Sequence, residues 1–230
     1  GGVTRSHLRF GPTPIHSPYY INKADFISCS QESYAFKFDM VRDLKEGGTF
    51  LLNTVIPAEE IENRLPNRML KALADKKANF YIINANAIAR ETHMGSHTNT
   101  ILQSAFFKLN EQIMPYSKSL ALMEASARST YARKGEDVVN NNIAAINKGS
   151  EGLVKVEVKP EWAELPTKAQ LFELTGDAHY DNNVQRINAL EGYDMKVSDF
   201  INEIVIDGSM PENISFREKR NIAAYVPEWN

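Results

Sequence analysis

Over the first 150 residues the apolar positions follow two habits, short unbroken runs and stripes at helical spacing. Thr49-Phe50-Leu51-Leu52-Asn53 and Asn79-Phe80-Tyr81-Ile82-Ile83-Asn84 are continuous runs of the kind buried in a parallel sheet. Ala24 to Cys29 reads as a further short strand. Between them, Tyr34, Phe38, Val41 and Leu44 predict a helix over Ser33–Leu44, closed by Gly47-Gly48. Helical pieces follow at Ala58–Leu65 and Asn67–Lys77, divided by Pro66, which cannot continue the first. A short helix from Ala85 ends at Gly95, and a longer one spans Thr98–Ile113 with Ile101, Leu102, Ala105, Phe106 and Leu109 on its core stripe. Ser117–Ala132 and Glu136–Lys148 are two more, split at Lys134-Gly135. Strands alternating with helices at this pitch mean βαβ units with right-handed crossovers. The predicted fold class is α/β, a Rossmann-like parallel sheet with a helical C-terminal part and an extended arm.

The two ends depart from that rhythm. Gly1 to Pro12, bounded by Gly-Gly and Gly-Pro, reads as one short strand. Alternation puts Thr4, Ser6, Leu8 and Phe10 on one face and Val3, Arg5, His7 and Arg9 on the other. Two cations and an imidazole on one face need a partner if buried. That partner is an anionic ligand or a neighbouring domain; the alternative is an edge strand with a solvated cationic face. Thr13–Asn22, with Pro14 and Pro18, is a loop. Past Gly149–Gly152 the composition changes: Val154–Val158 alternates like an exposed strand or extended linker, and Pro160, Pro166, Pro211 and Pro227 separate short apolar patches. Short helices are predicted at Asn183–Glu191 and Ser198–Ile204. The expected division is a 1–150 α/β core, incomplete at its N-terminal end, and a 151–230 arm with little core of its own.

Composition narrows the classes of function. A 43% hydrophobic content suffices for a core, and a net charge of -3 makes no electrostatic case for nucleic acid or an anionic membrane. One cysteine, Cys29, excludes an internal disulfide and any cysteine-ligated cluster made by this chain alone. No apolar run approaches a membrane span. A start on Gly-Gly, with no signal peptide, leads to the expectation of a piece of a larger polypeptide in a reducing, cytoplasmic compartment.

Candidate chemistry is sparse. Met94 to Thr100 precedes a long helix, with Ser96, Thr98 and Asn99 able to cap; such a start is either an ordinary cap or an anion site. His93 and His97, with Glu91 nearby, lack the H-E-x-x-H order and have Gly95 between them, which argues against a metal pair. Thr130–Asp137 reads as a solvated helix junction, and Glu59, Glu60 and Glu62 as the acidic first turn of a helix. Cys29 reads as a buried, inert thiol. No phosphate-binding or nucleophile-elbow motif occurs.

The string GGVTRSHLRFGP resembles a segment of pyruvate:ferredoxin (flavodoxin) oxidoreductases. The resemblance continues through Ala24-Asp25-Phe26, Gly47 to Asn53, Phe80 to Ile83, Met94 to Thr100, Tyr131 to Glu136 and Glu218 to Ala223. It departs at Ser96 and His97, where the family often has glycine and arginine, leaving open any cationic contact at that corner. The resemblance implies the domain between the thiamine-type modules and the ferredoxin-like module, on the coenzyme A side. The whole enzyme it implies oxidatively decarboxylates pyruvate to acetyl-coenzyme A with thiamine diphosphate, Mg and [4Fe–4S] clusters, passing electrons to ferredoxin or flavodoxin. It further implies a homodimer whose remaining domains are this chain's partners, and a chain that binds no cofactor and is inactive alone. Thr4, Ser6, His7, Arg9 and Asn99 are the expected coenzyme A-side contacts. The alternative is a stand-alone, non-catalytic α/β binding or scaffolding module.

Overall fold

A computed structural model describes residues 3–168, 171–199 and 217. The chain divides into two compact units, Gly1–Lys168 and Ala169–Asn230. The first holds a four-stranded sheet of β1 (Ala24–Cys29), β2 (Leu44–Asn53), β3 (Asn79–Ile83) and β4 (Val154–Val156), in that spatial order. Strands β1, β2 and β3 run parallel, with Phe50 beside both Ile27 and Phe80, and β4 closes the other edge antiparallel to β3. The α/β class and the parallel βαβ core agree with the expectation from periodicity.

Both faces of the sheet are buried, which is why β2 and β3 read as unbroken apolar runs. Phe50, Leu52, Phe80 and Ile82 face α1 (Glu32–Lys37), α2 (Ile61–Arg64) and α3 (Asn67–Asp75), through Ala35, Ile61, Leu70 and Leu73. Leu51 and Ile83 face α4 (Ala85–Glu91), α5 (Asn99–Leu109) and, further along the chain, α7 (Glu136–Glu151). Helix α6 (Tyr116–Tyr131) covers α7 through Met123, Ala127 and Ile146. Ser104 of α5 donates to the Ile146 carbonyl. A Cβ on Gly149 would lie 2.5 Å from the Ile101 carbonyl oxygen, so α5 and α7 meet there backbone to backbone.

Three local expectations change. Helix α1 stops at Lys37 instead of running to Leu44. Asp39 accepts from the backbone N–H of Val41 and Arg42, and Arg68 donates to the carbonyls of Ala35 and Phe36, so the chain turns there. Gly47-Gly48 therefore does not close a helix. The pair lies inside β2, where Gly47 takes φ 72° and the register with β1 shifts between Ala24 and Phe26. A bulge of this kind needs a left-handed residue, which glycine supplies at no steric cost.

The opening stretch is the second change: Val3–Phe10 contains no strand. The third is the end of the core. Instead of stopping at residue 150, the first unit runs on to Lys168. Buried Gly149 keeps α7 intact to Glu151, and β4 joins the sheet instead of forming a linker. Trp162, only 2% exposed, then plugs the core beside α3. Its indole N–H donates to Glu62, whose other carboxylate oxygen pairs with Lys159, and Asn67 donates to the Pro166 carbonyl.

In the second unit a π-helical turn, Tyr180–Val184, leads into α8 (Gln185–Asn188), within the span expected to be helical. Buried Asp181 organises it by accepting from Thr175, Gly176 and Gln185. The predicted Ser198–Ile204 helix extends beyond the described residues, and Pro211, Pro227 and Glu218–Ala223 lie outside them.

Candidate functional site

In α/β folds ligands commonly enter at the carboxyl ends of the parallel strands. Here that edge is closed by the chain's own groups. Asn53, 3% exposed at the end of β2, donates to the Ser30 carbonyl at 3.0 Å and accepts from Ala85 N–H at 2.9 Å, tying the ends of all three parallel strands together. Glu32 accepts from Thr54 Oγ1 and Val55 N–H, and Asn84 caps α4 through Ala87 N–H. Sequence reading passed over Asn53; its signal was a lone amide closing an apolar run. Cys29 is buried here, its thiol donating to the Gln31 carbonyl, and burial pushes its pKa up to about 11. A thiol held neutral in this way is a poor nucleophile and metal ligand.

The opening segment keeps the alternation read from sequence although it joins no sheet. Val3, His7 and Arg9 are half-buried, whereas Thr4, Ser6, Leu8 and Phe10 are exposed; Arg5 breaks the pattern and is exposed too. The charged groups all have partners, and His7 and Arg9 turn inward. Arg5 pairs with Asp43 at the start of β2. The Arg9 guanidinium donates to the carbonyls of Ser17 (3.2 Å) and Tyr19 (2.7 Å) and lies 5.1 Å from the centre of the Tyr19 ring. His7 Nδ1 accepts from Ile21 N–H at 3.1 Å, and its ring sits 4.9 Å from that of Tyr20. The pairs His7 with Ile21, Arg9 with Ser17 and Tyr19, and Gly11 with Ile15 converge on a turn. Residues 3–21 thus form an arch whose limbs run antiparallel, zipped by side chains instead of a backbone ladder. Among the described residues Arg9 pairs with no carboxylate; its carbonyl partners make it hold the arch.

Asn99 begins α5 and is exposed. Phe10 of the arch stacks on Phe106 of α5 at 5.8 Å, and Phe106 also meets Phe26 of β1 edge-on. Asn99 and Phe106 are two turns apart on the same side of that helix, an axial separation of about 10 Å. Thr4, Ser6, His7 and Arg9 thus lie in the arch, the first two exposed and the last two bracing it, and the arch meets α5 through Phe106, two turns along the helix from Asn99. The other sequence candidates are occupied locally. Glu91 pairs with Lys148, Glu60 with Arg64, Glu136 lies 4.0 Å from Arg128, and Lys134 sits over the Tyr131 ring. His93 is exposed at φ 57° in the turn before Gly95.

Among the described residues no three His, Cys, Asp or Glu side chains come together as a metal site. A [4Fe–4S] cluster takes four cysteine thiolates, and this chain has one, buried and held neutral. Its residues do not fit such a cluster.

The family model for pyruvate ferredoxin/flavodoxin oxidoreductase matches residues 1–152. A pyruvate-flavodoxin oxidoreductase of Enterobacter agglomerans is 41% identical over 229 residues, covering 100% of this chain and 19% of the relative. A pyruvate:ferredoxin oxidoreductase of Moorella thermoacetica is 39% identical over 230 residues, with the same two coverages. The mitochondrial pyruvate dehydrogenase [NADP(+)] of Euglena gracilis is 33% identical over 231 residues, covering 100% of this chain and 12% of the relative. Among solved structures, the PORC subunit of a pyruvate oxidoreductase from Thermotoga maritima aligns at a TM-score of 0.47 and 20% identity, over 60% of this chain and 67% of that one. The chain spans about a fifth of the length of the first two relatives. With a family match across most of the chain and full-length similarity to its members, the chain belongs to the pyruvate ferredoxin/flavodoxin oxidoreductase family.

Proposed function

We propose that this chain is the scaffold and coenzyme A-side segment of a pyruvate:ferredoxin or flavodoxin oxidoreductase, inactive by itself. The observation that carries the reading is the 41% identity, across the whole chain, to a pyruvate-flavodoxin oxidoreductase about five times longer. In the proposed reaction the C1–C2 bond of pyruvate breaks, carbon dioxide leaves, and the acetyl carbon forms a thioester with the coenzyme A sulfur. Two electrons pass to ferredoxin or flavodoxin and one proton is released. Thiamine diphosphate with Mg would stabilise the carbanion and iron–sulfur clusters would carry the electrons. This chain's own part is structural: the sheet holds α5 and the arch, and these present a polar surface. Thr4 and Ser6 offer neutral hydroxyl donors there, Asn99 an amide, and His7 and Arg9 keep the arch in shape. The remaining Arg9 N–H groups can meet a phosphate or carboxylate. The setting is a homodimer in a reducing cytoplasm.

The test uses the full-length protein. Pyruvate-dependent, coenzyme A-dependent reduction of a low-potential acceptor is expected. A full-length protein that never oxidises pyruvate, with thiamine diphosphate and clusters in place, overturns the enzyme reading in favour of a scaffolding module. The coenzyme A side is tested by Thr4→Ala with Ser6→Ala, and separately by Arg9→Ala. A KM for coenzyme A raised severalfold with Tm nearly kept supports it; unchanged coenzyme A kinetics in both variants sink it.

A further inference from the structure

His7 and Arg9 are half-buried and bonded within the arch and exposed Arg5 pairs with Asp43, while Leu8 (72% exposed), Ile15 (44%), Tyr19 (69%) and Tyr20 (67%) lie in the open and Phe10 (54%) is exposed beyond its stack on Phe106. Tyr19 lies against Arg9 and Tyr20 against His7, and Ile15 reaches the Gly11 end of the limb that carries Leu8 and Phe10. Apolar and aromatic groups clustered on an extended, side-chain-zipped segment are expensive to leave in water. Tyr and Phe are also the residues enriched at the cores of protein interfaces. No backbone–backbone hydrogen bond joins the two limbs among the described residues, so side-chain hydrogen bonds and packing must hold the arch's shape.

We propose that the apolar end of the arch is a docking surface for another module of the same enzyme, one presenting an uncharged, apolar face. This rests on the reading that the chain is a segment of a multi-module oxidoreductase. Three observations select this occupant. The exposed end is made chiefly of apolar and aromatic side chains, Leu8, Ile15, Tyr19 and Tyr20, with exposed His16 between Ile15 and Ser17. The relatives carry about four-fifths of their length outside the matched region, which supplies the partner within one polypeptide. The patch adjoins the exposed hydroxyls of Thr4 and Ser6, so a docked module would wall the proposed coenzyme A side and exclude water from it.

The experiment places a photo-cross-linking phenylalanine at Tyr20, and separately at Leu8, in the full-length protein, and maps the captured peptide by mass spectrometry. Capture of a peptide outside these 230 residues, from either position, is the expected result. Capture confined to residues of this 230-residue chain, in the same copy or a second one, overturns the proposal. So does no capture from both positions with the arch peptide intact. Leu8→Glu combined with Tyr20→Glu adds a second readout: peptide-resolved hydrogen exchange over residues 4–21 is expected to rise, together with that of the captured peptide. Exchange that rises only in the arch overturns docking. None of these readouts uses turnover, so an enzyme that failed to oxidise pyruvate would sink the functional reading and leave the docking result standing.

Discussion

Asn53 and Cys29 sit at neighbouring strand ends and show how single side chains settle what this edge of the sheet can do. Asn53 satisfies the Ala85 N–H, which would otherwise be buried without a partner, and also bonds the carbonyl of exposed Ser30. Asn53→Ala strands the Ala85 N–H, and a loss of about 1–3 kcal/mol in urea unfolding is expected; a loss below about 0.5 kcal/mol would mean the edge is wet. Cys29 is governed by burial, the largest influence on its thiol, which holds the pKa at about 11. At pH 8 alkylation of the Cys29 peptide in the folded protein is expected to be about a hundredfold slower than after denaturation. Equal rates would mean an accessible thiolate and a different account of this strand end.

At the scale of elements, the decisive contact is where α5 and α7 cross. Gly149 lets α7 lie against the Ile101 carbonyl, with the Ser104 hydroxyl bonded to the Ile146 carbonyl beside it. Gly149→Ala would normally favour a helix, but here the added Cβ meets backbone at 2.5 Å, which cannot swing aside. The expected net effect is destabilisation of about 1–3 kcal/mol, read from chemical denaturation. A neutral or stabilised variant would show that the helices can part at little cost. Because Phe106 lies on the same helix and carries the arch, this variant is also expected to quicken exchange at residues 4–21.

For the whole molecule the question is what holds the stretch from β4 to Lys168 to the first unit. Glu62 receives both Lys159 and the Trp162 indole, and the hydrogen bond from Lys159 is the larger cause of a carboxyl pKa held below its ordinary 4.5. A depressed carboxyl stabilises the folded state above the unfolded value, and that contribution is lost as pH falls through the folded one. Hydrogen exchange of the 157–168 peptide, normalised to the strands, is therefore expected to rise as pH drops below 4.5. The Glu62→Gln variant is expected to show the raised exchange already near neutrality and little further change. Identical profiles for the two proteins would remove Glu62 from this role. At about pH 7 residues 153–168 are expected to exchange as slowly as β2 and β3; fast exchange there would restore an independent arm beginning near residue 151.

Periodicity alone determined the parallel core and its helices. A strand covered on both faces must be apolar throughout, as in Thr49–Asn53, and a helix between sheet and solvent must carry one stripe, as Ile101, Ala105 and Leu109 do. It also determined which side chains of the opening segment share a face, because that follows from extended backbone whether or not a sheet forms. Only the tertiary structure decided that His7 and Arg9 turn inward, since the Ser17, Tyr19 and Ile21 backbone groups that bond them carry no side-chain signature. It likewise decided that Gly47-Gly48 bends a strand, as a glycine pair serves a helix end and a bulge equally well. And it decided that the chain after residue 150 belongs to the core. Trp162 is 100 residues from Glu62 and Pro166 is 99 from Asn67, and contacts at that separation leave no period for a local pattern to reveal.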